Sequence, residues 1–487
     1  MVSYAELVNS CLLPSYGGAD PGDWWKRELD NGLAGLVLFG ADLGPLNGEV
    51  GALATGKLRA HRPDMIIALD EEGGDITRAE YHRGSNYPGN LALGAVDDPA
   101  LTGAVAEAIA ADLIDLGVSV NLAPSVDVCP GAHLPVLGTR SFHADPARVA
   151  EHACAFVDGL QKHGVAATAK HFPGLGSTST DSHFALPSVD DPEEVLRARD
   201  LVPFAATVRA GVRAVMTGHV LAAAVDSTPA TFSRRFVTDI LRGELGFGGV
   251  VISDALDMEP ARAGRGFAGA AVRAWQAGVD LMILGPRDGE RICAEIREGA
   301  LAAIEDGTLP LARLEEAAGR VADLRKWSGE PRRPAADLSG TGIVAARRAL
   351  AVRGEPPAPG RWFVVELRPE PSISCGTVPW GLIKPLTRLG GVSGAIEVPE
   401  GAAGVELPDG PVVVVVRADS ERTWQDEALA RILRRRPDAV VVDMGYCDVP
   451  VPPGTVVLKT FGAGLVNAVA ASELLSGRRT AGAPRDC

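Results

Sequence analysis

The chain has 487 residues, 46% hydrophobic and 22% charged, with 57 glycines and a formal net charge of −15. That is an ordinary mix for a globular enzyme with a large core, and its acidity argues against sequence-independent nucleic-acid binding, which needs a basic footprint. No apolar run marks a membrane span, Met1–Tyr16 lacks the pattern of a secretory signal, and the seven cysteines are scattered without a CxxC pair, so a cytoplasmic setting without disulfides or zinc is expected.

From Gly32 to about Gly285 short apolar runs alternate with amphipathic stretches. Strands are predicted at Gly35–Gly40, Met65–Asp70, Val118–Asp127, Val165–His171, Val212–His219, Val250–Asp254 and Val279–Gly285. Helices are predicted at Asp98–Leu116, Pro146–His163, Pro192–Ala210 and Ser233–Leu245. Uniformly apolar strands separated by helices imply a parallel sheet covered on both faces. Seven or eight such units close most economically into a (β/α)8 barrel, with a doubly wound open sheet as the alternative. Nearly every strand ends in a polar group: Asp70, Asp127, Lys170–His171, His219, Asp254. In a barrel those ends converge on one pocket.

The run Ser328–Gly340 is rich in Pro, Gly and charge and reads as a linker. The expected division is a barrel over 1–328, a linker over 329–340 and a smaller α/β layered domain over 341–487. Strands of that domain are predicted at Trp362–Leu367, Val412–Arg417, Ala439–Asp443 and Val456–Lys459, with a helix at Thr423–Arg434. The stretch from Gly477 onward reads as extended.

The strongest chemical signal is Lys170–Pro187, KHFPGLGSTSTDSHFALP. A strand ends in Lys170–His171 and runs into a Gly/Ser/Thr loop bearing Asp181 and His183. A carboxylate two residues from an imidazole can orient the ring and hold its charge. A second signal is VVISDALDME, where a buried strand ends in Asp254; the local pattern fits a helix cap as well as a catalytic carboxylate. In ALDEEGGDITR, Asp70 ends a strand beside the Gly73–Gly74 turn, and Arg78 follows; acceptors and donors together suit sugar hydroxyls. The same region lacks the phosphate-loop pattern. A fourth cluster, Asn121–Phe142, holds Asp127 and Arg140, which fit a structural ion pair as well as a ligand site.

ALDEEGG, GTRSF, KHFPG…DSH…LP, MTGH and SDALDM, in this order, resemble the motifs of glycoside hydrolase family 3. The resemblance is close from Leu12 to about Gly285 and loose beyond. The DSH loop is similar to the exo-β-N-acetylglucosaminidase branch, many members of which act in peptidoglycan recycling; β-glucosidase branches take a carboxylic acid from the second domain. The resemblance implies a retaining hydrolase with Asp254 as nucleophile, His183 as acid/base and Asp181 as its partner. It places Asp70, Arg78, Arg140, Lys170 and His171 on the terminal sugar. Asp127, Met216 and His219, at neighbouring strand ends, join them as candidate sugar-binding residues. Asp75 and Leu175 depart from the family pattern, which bears on what is accommodated beyond the cleaved bond. No metal or organic cofactor is implied, and the expected partner is a small carbohydrate, an N-acetylglucosamine-containing oligosaccharide or muropeptide. A phosphorylase using phosphate as acceptor, a β-glucosidase and an inactive sugar-binding protein are the alternatives. Every catalytic candidate lies before Gly285, so the barrel is expected to hold the chemistry alone.

Overall fold

The computed structural model describes residues 3–18, 22–43, 49–131, 137–178, 180, 186–258, 264–402, 405–417 and 423–480. The alternating first part folds as a ring of parallel strands: β1 (Leu12–Leu13), β2 (Gly35–Val37), β3 (Ile66–Leu69), β6 (Val120–Asn121), β7 (Ala166–Phe172), β8 (Ala214–Thr217), β9 (Val250–Ser253) and β10 (Met282–Ile283). A short antiparallel hairpin, β4 (Glu71–Gly73) with β5 (Ile76–Thr77), interrupts the series after β3. β2 through β9 pair in sequence order, and β10 pairs with β1. Single parallel bridges, Ser15 to Val37 and Ile252 to Leu281, join the two groups and close the barrel.

The strands read as continuous apolar runs because both faces are buried, and the two faces go to different cores. Ile66, Ala68, Val120, Ala214, Met216, Val250, Ile252 and Ile283 fill the barrel interior. The alternate residues Ile67, Leu69, Val215, Val251 and Met282 pack outward against the helices. β1 went unforeseen because two residues, Leu12 and Leu13, carry no period to detect. The predicted helix at Pro192–Ala210 is split into Glu193–Ala198 and Leu201–Arg209, and Ser233–Leu245 contains a π-helical stretch, Arg235–Glu244.

Beyond the Pro-rich run a second sheet forms from β11 (Ala351–Arg353), β12 (Trp362–Arg368), β13 (Val392–Pro399), β14 (Val412–Val416), β15 (Val440–Asp443) and β16 (Val457–Lys459). Its order is β11-β16-β15-β14-β12-β13, all pairs parallel except β11 with β16. β14 is Val throughout and buried on both faces. β13 is an edge strand, mostly exposed, and its sequence VSGAIEVP gives no apolar run to find. No helix among the described residues is long and apolar enough to cross a membrane.

The two parts are bolted together by polar contacts. Asp75 is buried, accepts a hydrogen bond from the Ala463 amide at 2.8 Å and another from the Thr139 hydroxyl, and faces Arg417 at 3.7 Å. Asp75 therefore serves the joint between the parts. The Tyr446 hydroxyl reaches the Gly131 carbonyl at 3.1 Å, and Arg348 pairs with Asp98 at 2.8 Å.

At the amino-terminal end of the barrel Asp280, fully buried, accepts from Arg242 at 2.6 Å and the Val251 amide at 2.9 Å, and pairs with Arg313 and with Arg320 at 3.2 Å. Removing one member of such a cluster leaves like charges buried together. Asp280→Asn should therefore cost about 3–5 kcal/mol of stability, read from urea unfolding; an unchanged midpoint would mean that solvent screens the three arginines.

Candidate active site

The carboxyl ends of the barrel strands enclose a cavity of about 510 Å3, within the range of small-ligand sites. Its floor is the upper layer of the barrel interior: Val37, Leu122, Met216 and Ile283. The walls bring Asp70, Arg78, Arg140, Lys170, His171 and Asp254 into one space. Five separate stretches of chain thus meet, and each reaches the rim for a local reason.

Asp70 directly follows β3, and Asp254 directly follows β9. β7 is longer than its neighbours, so Lys170 and His171 lie within it at the rim rather than beyond it. The hairpin β4–β5 folds back over the opening through Gly73 and Gly74, both with positive φ. A side chain at Gly74 would stand 2.6 Å from the Gly89 amide nitrogen, so only glycine fits there. A short helical turn, Gly138–Arg140, presents Arg140.

These groups form a chain of alternating charge. The Lys170 ammonium, 2% exposed, donates to Asp70 Oδ1 at 2.7 Å and pairs with Glu72 Oε1 at 2.7 Å. Arg140 forks onto both Glu72 oxygens, Nε at 3.0 Å and Nη2 at 2.7 Å. Burial alone would raise the Glu72 carboxyl, but Arg140 and Lys170 outweigh it and hold it below the usual carboxylate range. Burial likewise opposes the charge on Arg140, and the Glu72 carboxylate more than restores it. Arg78 stands 4.0 Å from Asp70 and donates through Nη2 to the Ser374 carbonyl at 2.9 Å. The result is a fixed array of donors and acceptors facing the cavity, suited to a neutral polyhydroxyl ligand. Glu72 was not singled out in the sequence; its place in DEEGG is visible there, but its role depends on Lys170 and Arg140 arriving from elsewhere.

Two of the sequence candidates lie behind the wall. Asp127, 1% exposed, accepts from His171 Nδ1 at 2.8 Å, from the Leu175 amide at 2.7 Å and from the Ser125 hydroxyl at 2.9 Å. It orients the His171 ring and leaves Nε2 3.4 Å from Arg140. His219 is fully buried between Thr231, at 2.9 Å from Nδ1, and the Ala255 carbonyl, at 3.1 Å from Nε2. Burial lowers its pKa, so it supports the segment after Asp254 as a neutral ring. Neither Asp127 nor His219 lines the cavity. The Ala255 amide donates to Asp254 Oδ1 at 2.8 Å, which fixes that carboxylate. Asp257 lines the same cavity, and Leu175 forms part of its wall. Asp181 and His183 fall outside the described residues. The second part also contributes to the wall, through Ile373 and Ser374, which the expectation of a self-sufficient barrel did not include.

The family described as glycosyl hydrolase family 3 N-terminal domain matches residues 28–324. A β-hexosaminidase of Neisseria meningitidis serogroup C is 36% identical over 273 residues, covering 53% of this chain and 73% of that one. A β-hexosaminidase of Chromobacterium violaceum is 35% identical over 333 residues, covering 66% and 90%. A family 3 β-N-acetylglucosaminidase structure from a Paenibacillus species is similar over 99% of this chain and 98% of that one, with a TM-score of 0.85 and 26% identity. A β-glucoside phosphorylase, at 16% identity and a TM-score of 0.79 over 98% and 93% of the two chains, shares the fold.

Next to this array, Glu71 is buried on the other side of the hairpin and accepts from the Thr77 hydroxyl at 2.8 Å and from the Arg78 and Ala79 amides at 3.1 Å. Burial first, and the charge of Glu80 second, push its carboxyl from 4.5 up to about 8. The unfolded chain loses this proton near 4.5 and the folded chain only near 8, so stability should fall as pH rises across that window. Glu71→Gln should flatten the fall, measured by urea unfolding at both ends of the window. An undiminished slope in the variant would assign it to another group.

Proposed function

The chain belongs to glycosyl hydrolase family 3 and is a glycoside hydrolase, and on that premise we propose a retaining exo-β-N-acetylglucosaminidase that works through a glycosyl-enzyme intermediate. The observation that carries the proposal is the meeting of Asp254 with the Asp70–Lys170–Glu72–Arg140 array around one sugar-sized cavity. Relatives named β-hexosaminidase and β-N-acetylglucosaminidase support the N-acetyl preference.

In this reading Asp70, Arg78, Arg140, Lys170 and His171 hold the terminal sugar over the floor that includes Met216. Asp254 attacks the anomeric carbon while the bond to the leaving oxygen breaks, giving a glycosyl ester. His183, protonated and oriented by Asp181, gives its proton to that oxygen. The neutral imidazole then takes a proton from water, which displaces Asp254 and frees the sugar. The described flanks of the loop support this role: it departs from Leu175 in the cavity wall, and it returns at Ser188, which bridges to Leu221 just past β8. Asp127 and His219 act behind the site, on the His171 ring and on the segment after Asp254. The natural substrate in this reading is an N-acetylglucosamine-bearing oligosaccharide or muropeptide, met in the cytoplasm during cell-wall recycling. None of the six cysteines described forms a disulfide, which suits that compartment.

Paired nitrophenyl glycosides test the substrate assignment. The N-acetylglucosaminide should exceed the glucoside at least ~100-fold in kcat/KM, roughly 2.7 kcal/mol of transition-state discrimination; a ratio near one would return the chain to the β-glucosidases. Repeating the assay with phosphate should still release free sugar, and a sugar 1-phosphate product would instead identify a phosphorylase.

The acid/base assignment is tested through the leaving group. His183→Ala should retain far more activity on a dinitrophenyl glycoside, whose departing oxygen needs no proton, than on a disaccharide. Equal losses on both would remove His183 from proton transfer and point to Asp257, which lines the cavity three residues after Asp254.

A further inference from the structure

The second sheet carries a cavity of its own. Its parallel strands lie in the order β13-β12-β14-β15-β16. The chain therefore leaves β12 toward one edge to build β13, then crosses back to build β14 on the other side. Where two such connections diverge, the carboxyl ends of the strands leave a crevice, and open α/β sheets bind ligands there. A cavity of about 660 Å3 occupies that place. Arg368 ends β12, Arg417 follows β14, and Trp424 and Gln425 begin the next helix, Trp424–Arg435. It shares no lining residue with the catalytic cavity, although the segment between Pro369 and Trp380 contributes to both walls.

Its lining combines two kinds of group. Trp380 and Trp424 supply half-buried indoles, and Arg368, Arg417 and Lys384 supply positive charge. Arg368 is engaged through Nη2 by the buried Glu366 and by the lining Glu397 at 3.0 Å, and Arg417 faces Asp75 at 3.7 Å. Glu370 is the other lining carboxylate, so an anionic ligand would meet the remaining edges of the two guanidiniums and the exposed Lys384. The Arg368 guanidinium lies 4.4 Å from the Trp380 ring centre and Arg417 lies 5.9 Å from it. Charge and aromatic surface are therefore adjacent. Arg368 Nε is buried and has no hydrogen-bond partner. An indole offers an apolar face to the C–H side of a sugar ring, while guanidinium and ammonium groups take carboxylate or phosphate.

We propose that this cavity is a second ligand site, for an anionic sugar. The ring lies against the indoles of Trp380 and Trp424, and its carboxylate or phosphate meets Arg368, Arg417 and Lys384. The wall is held in place from the barrel side, since Arg78 donates to the Ser374 carbonyl at 2.9 Å and the Thr377 amide donates to the Tyr81 hydroxyl at 3.0 Å. A preformed wall leaves little ordering cost to binding.

Isothermal titration of the full chain tests this without turnover, so its failure would leave the proposed hydrolase reading intact. The probes are glucuronate, glucose 6-phosphate, glucose and inorganic phosphate. At least one anionic sugar should bind saturably, and which one does so tells carboxylate recognition from phosphate. Glucose and inorganic phosphate should bind at least ~10-fold more weakly. Lys384 is exposed, so Lys384→Glu should keep the melting temperature while weakening the anionic sugar at least ~10-fold. Asp254→Asn, at a residue that lines the other cavity without belonging to the Lys170 cluster, should leave the titration unchanged. The proposal falls if neither anionic sugar binds, if glucose or phosphate binds as tightly, if Lys384→Glu has no effect, or if Asp254→Asn abolishes binding.

Discussion

A lysine ammonium held almost entirely out of water is the constraint around which this molecule is arranged. Lys170, 2% exposed, is tolerable only because Asp70 and Glu72 each stand 2.7 Å from its nitrogen. Two carboxylates around one ammonium would leave a surplus of negative charge, and Arg140 removes it by forking onto Glu72. An unpaired charge at such a depth costs several kcal/mol, so the four groups stand or fall together. They come from the residue after β3, the hairpin that follows, the turn at Gly138–Arg140 and β7. Satisfying one buried cation thus forces two strand ends, a helical turn and a hairpin into register at the rim, where Asp254 also emerges.

The barrel serves that cluster from below. Its interior is apolar up to the layer of Val37, Leu122, Met216 and Ile283, which closes the cavity floor and keeps water away from one side of the charges. Lower local dielectric strengthens each ion pair and penalises any ligand that fails to match the array. Behind the wall, Asp127 and His219 perform a quieter task. The first sets the His171 ring through Nδ1, and the second holds the Ala255 carbonyl next to Asp254. Both are polar residues at strand ends, but their hydrogen bonds are spent on orienting neighbours.

This distinction explains what could and could not be read in the sequence. Seven barrel strands were legible because burial on both faces writes an apolar run, and their polar ends marked the rim. β1 and β13 were not: two leucines carry no period, and an exposed edge strand carries no apolar signal. Residue type at a strand end gave Asp70, Lys170 and Asp254, yet the same rule could not separate cavity-lining side chains from Asp127 and His219 one layer deeper. Whether a side chain faces the opening or its neighbour depends on strand tilt and on partners far along the chain. Glu72 and Asp75 make the point from the other side. They sit three residues apart in one motif, but Glu72 neutralises the rim cations and Asp75 fastens the second part through Ala463 and Thr139.

That fastening has a consequence for the division of labour between the two parts. Arg78 emerges from the same hairpin and reaches both ways, 4.0 Å from Asp70 and in hydrogen-bond contact with the Ser374 carbonyl. Ile373 and Ser374 in turn complete the wall of the barrel-rim cavity, while Ser372 and Gly376 face the cavity at the switch point of the second sheet. The hairpin β4–β5 is therefore the element on which the charged rim, the joint between the parts and the wall shared by the two cavities all converge. Its geometry rests on two glycines with positive φ and on a buried Glu71 that gathers three donors from the strand opposite and the residues after it. A barrel cut away from the second sheet would keep its rim carboxylates and cations but lose the carbonyl that fixes Arg78 and one wall of the cavity. The charged rim and part of the wall around its cavity are thus encoded on either side of the Pro-rich run, and the hairpin Glu71–Thr77 is one of the places where the two are joined.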